Sequence, residues 1–310
     1  MPEYVCDNCA VSANTDSDPY TEYDLGIACG VCAPRLRHCL CGTLTFSRRL
    51  CESCREQGRT GPIAGQPHPA LNNIVRLAGV EIEFIPGESG SDLDLRDYGE
   101  LKSDGSVYDD EAGDGLEFAS RPASGSAFVN LVTAVTKALR TDGAFVNNTC
   151  GLHLHLDMGG TSETQRENIQ SWWRIYEPIF FGLVEGSRRA NEFCDWVGNK
   201  PAREWRSQRY HSLNIAAFHE HSTYELRLHH GTLSGTEILG FTATALSFFN
   251  WAEQAPPDPA IVEAIRADTS RKFTKRFLSS IKTPYTINKS IIKALRDRRP
   301  VLLRDDTEAI

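Results

Sequence analysis

The chain has 310 residues, 40% of them hydrophobic and 24% charged, which excludes a disordered scaffold and suffices for one large catalytic core or two domains. A formal net charge of -8 argues against a general binder of nucleic-acid backbones, work that wants a basic face. No charged-then-apolar leader pattern and no run of 18 apolar residues occurs, so the expectation is a cytoplasmic protein with no membrane partner.

Eight of the ten cysteines fall in the first 54 residues, as the close pairs Cys6/Cys9, Cys29/Cys32, Cys39/Cys41 and Cys51/Cys54. Thiolates at such spacing converge on tetrahedral Zn²⁺, and eight close two structural sites. One zinc with spare cysteines, or His38 in place of a thiolate, stays open, as does sequential against cross-braced pairing. Few large apolar residues lie here, so metal would supply much of the folding energy. Arg35, Arg37, Arg48, Arg49, Arg55 and Arg59 lie in or near this module and keep a nucleic-acid, protein or peptide partner in view. The expected division is a zinc module over 1–60, a Gly/Pro-rich linker over 61–76 and a catalytic domain over 77–310.

Leu77 to Ile85 alternates, with Val80, Ile82 and Phe84 on one face and Glu81 and Glu83 on the other, the pattern of a half-buried strand. The Asp-, Glu- and Gly-rich stretch from Gly87 to Gly115 reads as irregular or hairpin, ending in the short strand GLEFAS that carries Glu117. Ser124 or Ser126 is placed to cap a helix through FVNLVTAVTKALR, with Gly143 as its stop. CGLHLHLD, from Cys150 to Asp157, sets His153, His155 and Asp157 on one face and three leucines on the other. A fat apolar helix follows over Glu163 to Arg189, with Pro178 expected to bend or divide it. In STYELRLHHGTL, Tyr224, Leu226 and Leu228 face one way and Glu225, Arg227 and His229 the other; Glu237 to Glu253 is a further helix, and basic helical pieces lie over Arg266 to Ser279 and Lys289 to Arg299.

The strands EIE, HLH and ELR share one design, and Glu117 adds a carboxylate in similar surroundings. With their apolar faces on helices, their polar faces line one wet surface of a mainly antiparallel sheet. Four carboxylates with little compensating charge raise one another's pKa values and imply bound cations. Oxygen-rich sites favour Mg²⁺ or Mn²⁺, which pair with nucleotide phosphates. The sequence contains no P-loop. Cys150 lacks an identifiable His and Asp to activate it and reads as a buried small residue.

GVEIEF (Gly79 to Phe84), DGS (Asp104 to Ser106), GLEFAS (Gly115 to Ser120), CGLHLHLD, RYHSLN (Arg209 to Asn214) and YELRLHHGTL (Tyr224 to Leu233) together resemble the amidoligase enzymes, carboxylate-amine ligases distantly similar to glutamine synthetase. The resemblance implies an α+β fold, a glutamine synthetase-like curved antiparallel sheet backed by helices, with ATP and two or three Mg²⁺ or Mn²⁺ ions on its concave side. It implies Glu81, Glu83, Glu117, His155 and Glu225 as ion ligands, with His153 adjacent. Arg227 would meet the transferring phosphate, Arg209 and Asn214 would lie near nucleotide phosphate or the substrate carboxylate, and Asp104 would orient the second substrate or a metal water. The implied reaction joins a carboxylate to an amine through an acyl phosphate. Two rivals stay open: a zinc-centred adaptor, and a metal-dependent hydrolase or phosphotransferase using the same carboxylates.

Overall fold

A computed structural model describes residues 61–198, 200, 205, 207–266 and 270–281 and, within the first 45 residues, the backbone of six short strands. These pair antiparallel: β1 (Glu3–Val5) with β2 (Ser12–Asn14), β3 (Tyr20–Tyr23) with β4 (Gly26–Cys29), and β5 (Arg37–His38) with β6 (Leu44–Thr45). The side chains of Cys6, Cys9, Cys29, Cys32, Cys39, Cys41, Cys51 and Cys54 lie outside the described residues, and so do the side chains of the module's arginines and the basic segment Lys289 to Arg299.

Six further strands follow: β7 (Ala78–Phe84), β8 (Gly99–Asp109), β9 (Gly113–Ser120), β10 (Gly151–Asp157), β11 (Leu213–Asn214) and β12 (Thr223–His230). They form one antiparallel sheet in the order β11-β12-β10-β7-β9-β8. Period-two alternation decides its faces: Val80, Ile82, Phe84, Phe118, Leu152, Leu154, Leu156, Leu226 and Leu228 are buried in the main core, each contributing about 1.5–3 kcal/mol by leaving water. The polar partners of these residues are left on the opposite face.

The layer behind the sheet is helical, comprising α1 (Gly125–Thr141), α2 (Glu163–Leu183), the one-turn α3 (Ala217–His221), α4 (Gly235–Ala252), α5 (Pro259–Arg266) and α6 (Ser270–Ile281). Trp172, Trp173, Tyr176 and Phe180 of α2 meet Phe248 and Trp251 of α4 and Phe273 and Phe277 of α6 through ring contacts of 4.5–6.4 Å. Helix α2 is not divided at Pro178; it ends at Leu183, and a 3-10 turn over Gly186–Ala190 replaces the last part of the expected helix. Gly143, at φ 86°, takes the left-handed turn after α1 that a side chain would resist.

The segment expected as a linker is docked. Ile63 bridges Ala123, Leu71 is buried, and the amides of Gly65 and Gln66 donate to Ser124 Oγ and Ser126 Oγ. Ser124 stands at the N-cap of α1, but its hydroxyl holds the incoming chain instead of the helix amides. Proline and glycine there shape a fitted strap. No helix among the described residues is long and apolar enough to cross a membrane.

Candidate active site

Sheet register assembles the polar face. Asn214, Glu225 and His155 lie side by side across β11, β12 and β10, Glu81 opposes His153 across β7 and β10, and Lys102, Glu117 and Glu83 cross β8, β9 and β7. Neighbouring strands are about 4.8 Å apart, so charged ends on one face converge. His153 is their hub: its Nδ1 lies 3.0 Å from Glu81 Oε2 and 3.5 Å from Glu225 Oε1, and its Nε2 lies 3.5 Å from Glu83 Oε1. His155 Nε2 is 3.4 Å from Glu81 Oε1 and 3.9 Å from Glu225 Oε1, while its Nδ1 meets Thr223 Oγ1 at 3.0 Å.

Backbone and amide donors fix the carboxylates. Gly151 N–H donates to Glu83 Oε2 at 2.5 Å, and Asn214 Nδ2 donates to Glu225 Oε2 at 2.6 Å. The glycine is a steric requirement: a β-carbon at 151 would lie 3.2 Å from Glu83 Oε2, 3.3 Å from Arg188 Nη2 and 3.4 Å from His153 Nε2. Asp104 arrives through an irregularity in β8, where its pairing with Gly115 is followed by Tyr108 opposite Asp114. Its Oδ1 accepts from Ser106 N and Oγ at 2.8 and 2.6 Å, closing the DGS turn.

Among the described residues three trios on this face can each bring ligand atoms within 4.8 Å of one another, Glu81/His155/Glu225, Glu81/Glu117/His153 and Glu83/Asp104/Glu117, and a fourth, His229/His230/Glu237, lies apart from them. Burial pushes Glu117 up, the Glu81 charge adds to it, and the group reaches about 7. Burial works the same way on Glu81 but is outweighed by the hydrogen bond from His153 and the approach of His155, which hold it well below the usual carboxylate range. Glu225 is also lowered, the charges of His155, His153 and Arg227 overcoming burial. Burial acts to lower His155, and Glu81 and Glu225 reverse it into a net rise.

The donor set fits a divalent cation. His155 Nε2 is buried with no hydrogen-bond partner and faces Glu81 and Glu225. Neighbouring donors on an octahedral Mg²⁺ lie about 3 Å apart, close to the 3.4 Å from His155 to Glu81. A cation would turn mutual repulsion among the carboxylates into shared ligation.

Beyond the acids, a cavity of about 220 Å³ is lined by Glu83, Asp104, Ser106, Glu117, Thr149, His153, Arg188, Phe193, Arg209, Tyr210 and Arg227. Arg227 Nη1 meets Glu225 Oε1 at 2.5 Å and its Nε donates to Phe193 O at 3.1 Å. Arg209 is exposed at the rim, 5.5 Å from the Tyr210 ring centre. Asn214 does not line the cavity; both ends of its amide are committed, to Glu225 and to Ala216 N.

His229 departs from the expected face. A β-bulge between the pairings Leu154–Leu226 and Leu152–His229 adds a residue to β12. His229 therefore packs beside Phe241 of α4, ring centres 4.6 Å apart, away from Glu225 and Arg227. Cys150 is buried, and burial pushes its thiol up, unlike an activated nucleophile.

Two residues escaped the sequence reading. Arg188 sits in the 3-10 turn after α2, where no periodicity marks which way it points. Glu177, on an apolar helix, is fully buried and accepts from Val197 N and Gly198 N, both at 2.8 Å, and from Ser212 Oγ. Ser212 O in turn accepts from Arg227 N at 3.0 Å, so Glu177 braces the strand that carries the arginine.

One face of the antiparallel sheet thus gathers carboxylates and imidazoles beside a cavity that Arg188, Arg209 and Arg227 also line. Residues 89–209 match the family model described as "Putative amidoligase enzyme". That stretch holds Asp104, Glu117, His153, His155, Arg188 and Arg209; Glu81, Glu83, Glu225 and Arg227 flank it. A solved structure titled "Crystal structure of novel glutamine synthase homolog" is similar at 13% identity and a TM-score of 0.37, over 75% of this chain and 66% of that one, just under two thirds of its length. No curated protein matches.

Proposed function

We propose that the basin is the active site of an ATP-dependent carboxylate-amine ligase of glutamine synthetase-like design, which forms an amide through an acyl phosphate. The observation that carries this reading is the overlap of three ligand trios through Glu81 and Glu117 beside a cavity that also holds the guanidiniums of Arg209 and Arg227. Adjacent cations with arginines suit a triphosphate. The amidoligase match over residues 89–209 supports the ligase class.

Glu81, His155 and Glu225 would hold one cation and Glu83, Asp104 and Glu117 another, with His153 between them. Bound Mg²⁺ and ATP supply charge neutralisation and the phosphoryl group that makes the acid's oxygen a leaving group. Arg227, anchored by Glu225, stabilises charge developing on the transferred phosphoryl oxygens. Asn214 and Gly151 keep Glu225 and Glu83 aimed, and such outer contacts matter for affinity. The cysteine-rich module, with its two zincs, would recruit a protein, peptide or nucleic acid carrying a substrate; removing residues 1–60 without changing substrate choice would end that part.

The test uses hydroxylamine as amine with MgATP and a panel of amino acids, dicarboxylates and peptides, reading ADP and hydroxamate. The expected result is ADP release that needs both acid and amine, and its loss by roughly 100-fold or more in folded Glu83→Ala and Arg227→Ala proteins. ADP release indifferent to the acid would point to an ATPase, and retained ligation in both variants would refute the assigned roles.

A further inference from the structure

We propose that Arg188 is the carboxylate-binding residue for the acid substrate, an inference that rests on the ligase reading and names the group that holds its first reactant. Arg188 is 4% exposed and lines the cavity. Its Nη2 donates to Arg227 O at 2.8 Å, but its Nε has no hydrogen-bond partner. Among the described residues no carboxylate lies within ion-pairing distance of it. A buried guanidinium without a counter-charge is costly unless an anion completes it.

The other two arginines at the cavity are already provided for. Arg227 is paired with Glu225 and Phe193 O, and the exposed Arg209 is solvated at the rim. Arg188 alone of the three keeps an unused buried donor, and the planar fork of a guanidinium matches a carboxylate. Position supports the same ligand. Arg188, Glu83, Asp104 and Glu117 line the same cavity, and Arg188 Nη2 and Glu83 Oε2 converge on Gly151, so an acid held by Arg188 in the cavity lies close to the Glu83/Asp104/Glu117 cluster. The rings of Phe193 and Tyr210, centres 5.7 Å apart and edge to face, stand exposed at the cavity and give it an aromatic side. Such a side suits the organic body of a carboxylic acid, for which a bare phosphate has no counterpart.

The experiment follows the Arg188 Nε–H resonance in the full chain labelled with ¹⁵N-arginine, assigned by its disappearance in Arg188→Lys. Acetate and inorganic phosphate are titrated separately, and MgATP binding is measured by calorimetry in both proteins. Acetate should shift the resonance saturably, phosphate at equal concentration should not, and Arg188→Lys should weaken acetate binding about tenfold or more with MgATP affinity within about twofold. A response to phosphate alone, to neither anion, or an equal loss of MgATP affinity overturns the proposal. Absence of MgATP binding with the acetate response intact would instead strike the ligase reading and leave the carboxylate subsite standing. The titration of the unaltered protein decides the matter even if the variant folds poorly.

Discussion

Cation binding in this basin should be coupled to proton release, and Glu117 sets a minimum for the coupling. Burial and the Glu81 charge place it at about 7, and a cation requires its ionised form. Between pH 8 and pH 6 the ionised fraction of such a group falls about tenfold, so the Mn²⁺ affinity should fall by about the same factor, roughly 1.4 kcal/mol. The raised His155 must also shed its proton, which steepens the decline. For the cation-free protein the sign is reversed. A folded pKa above the ordinary 4.5 means that the stability from Glu117 is full below that value and is lost as pH rises through about 7. Added Mn²⁺ should therefore raise the melting temperature more at pH 8 than at pH 6. Calorimetry in two buffers of different ionisation enthalpy counts the protons released, and Glu117→Gln should flatten the pH profile. Mn²⁺ affinity that is constant from pH 6 to pH 8 in the unaltered protein would refute the reasoning.

Glu177→Leu strands the buried Val197 amide, the part-buried Gly198 amide and the buried Ser212 hydroxyl, each worth about 1–3 kcal/mol when left unpaired in the interior, so urea unfolding should show a loss of about 3 kcal/mol or more; Glu177→Gln keeps one acceptor oxygen and should lose less. Burial raises Glu177, so its contribution weakens as pH rises, a dependence that Glu177→Gln should abolish. Gly151→Ala should leave the fold intact and lower Mn²⁺ affinity about tenfold, the scale of lost outer-shell support, because the new methyl presses on Glu83, Arg188 and His153; calorimetry checks this.

The acidic and imidazole residues were legible because strand alternation is a direct readout of which side chains share a face, and EIE, HLH and ELR each sit between buried apolar neighbours. Alternation carries no signal about insertions, and so His229 was misplaced by a bulge that only pairing with β10 reveals. Arg188 lies in a turn without a period, and Glu177 looks like an exposed charge on a helix until the 197–198 turn is seen folding over it. The docked strap over 61–76 was hidden for a related reason: glycine and proline announce a change of direction but not what the chain packs against. The helical layer was read more easily, since α1 and α4 lie close to their expected spans.

Because the ligands are dealt out across strands from β7 to β12, no shorter excision retains them together. A fragment cut at the boundaries of the family match would keep Glu117, His153 and His155 yet forfeit Glu81, Glu83, Glu225 and Arg227. Half a basin of this kind has imidazoles stripped of most of their carboxylate partners, so minimisation or transplantation of the centre has to carry everything from Glu81 through Arg227.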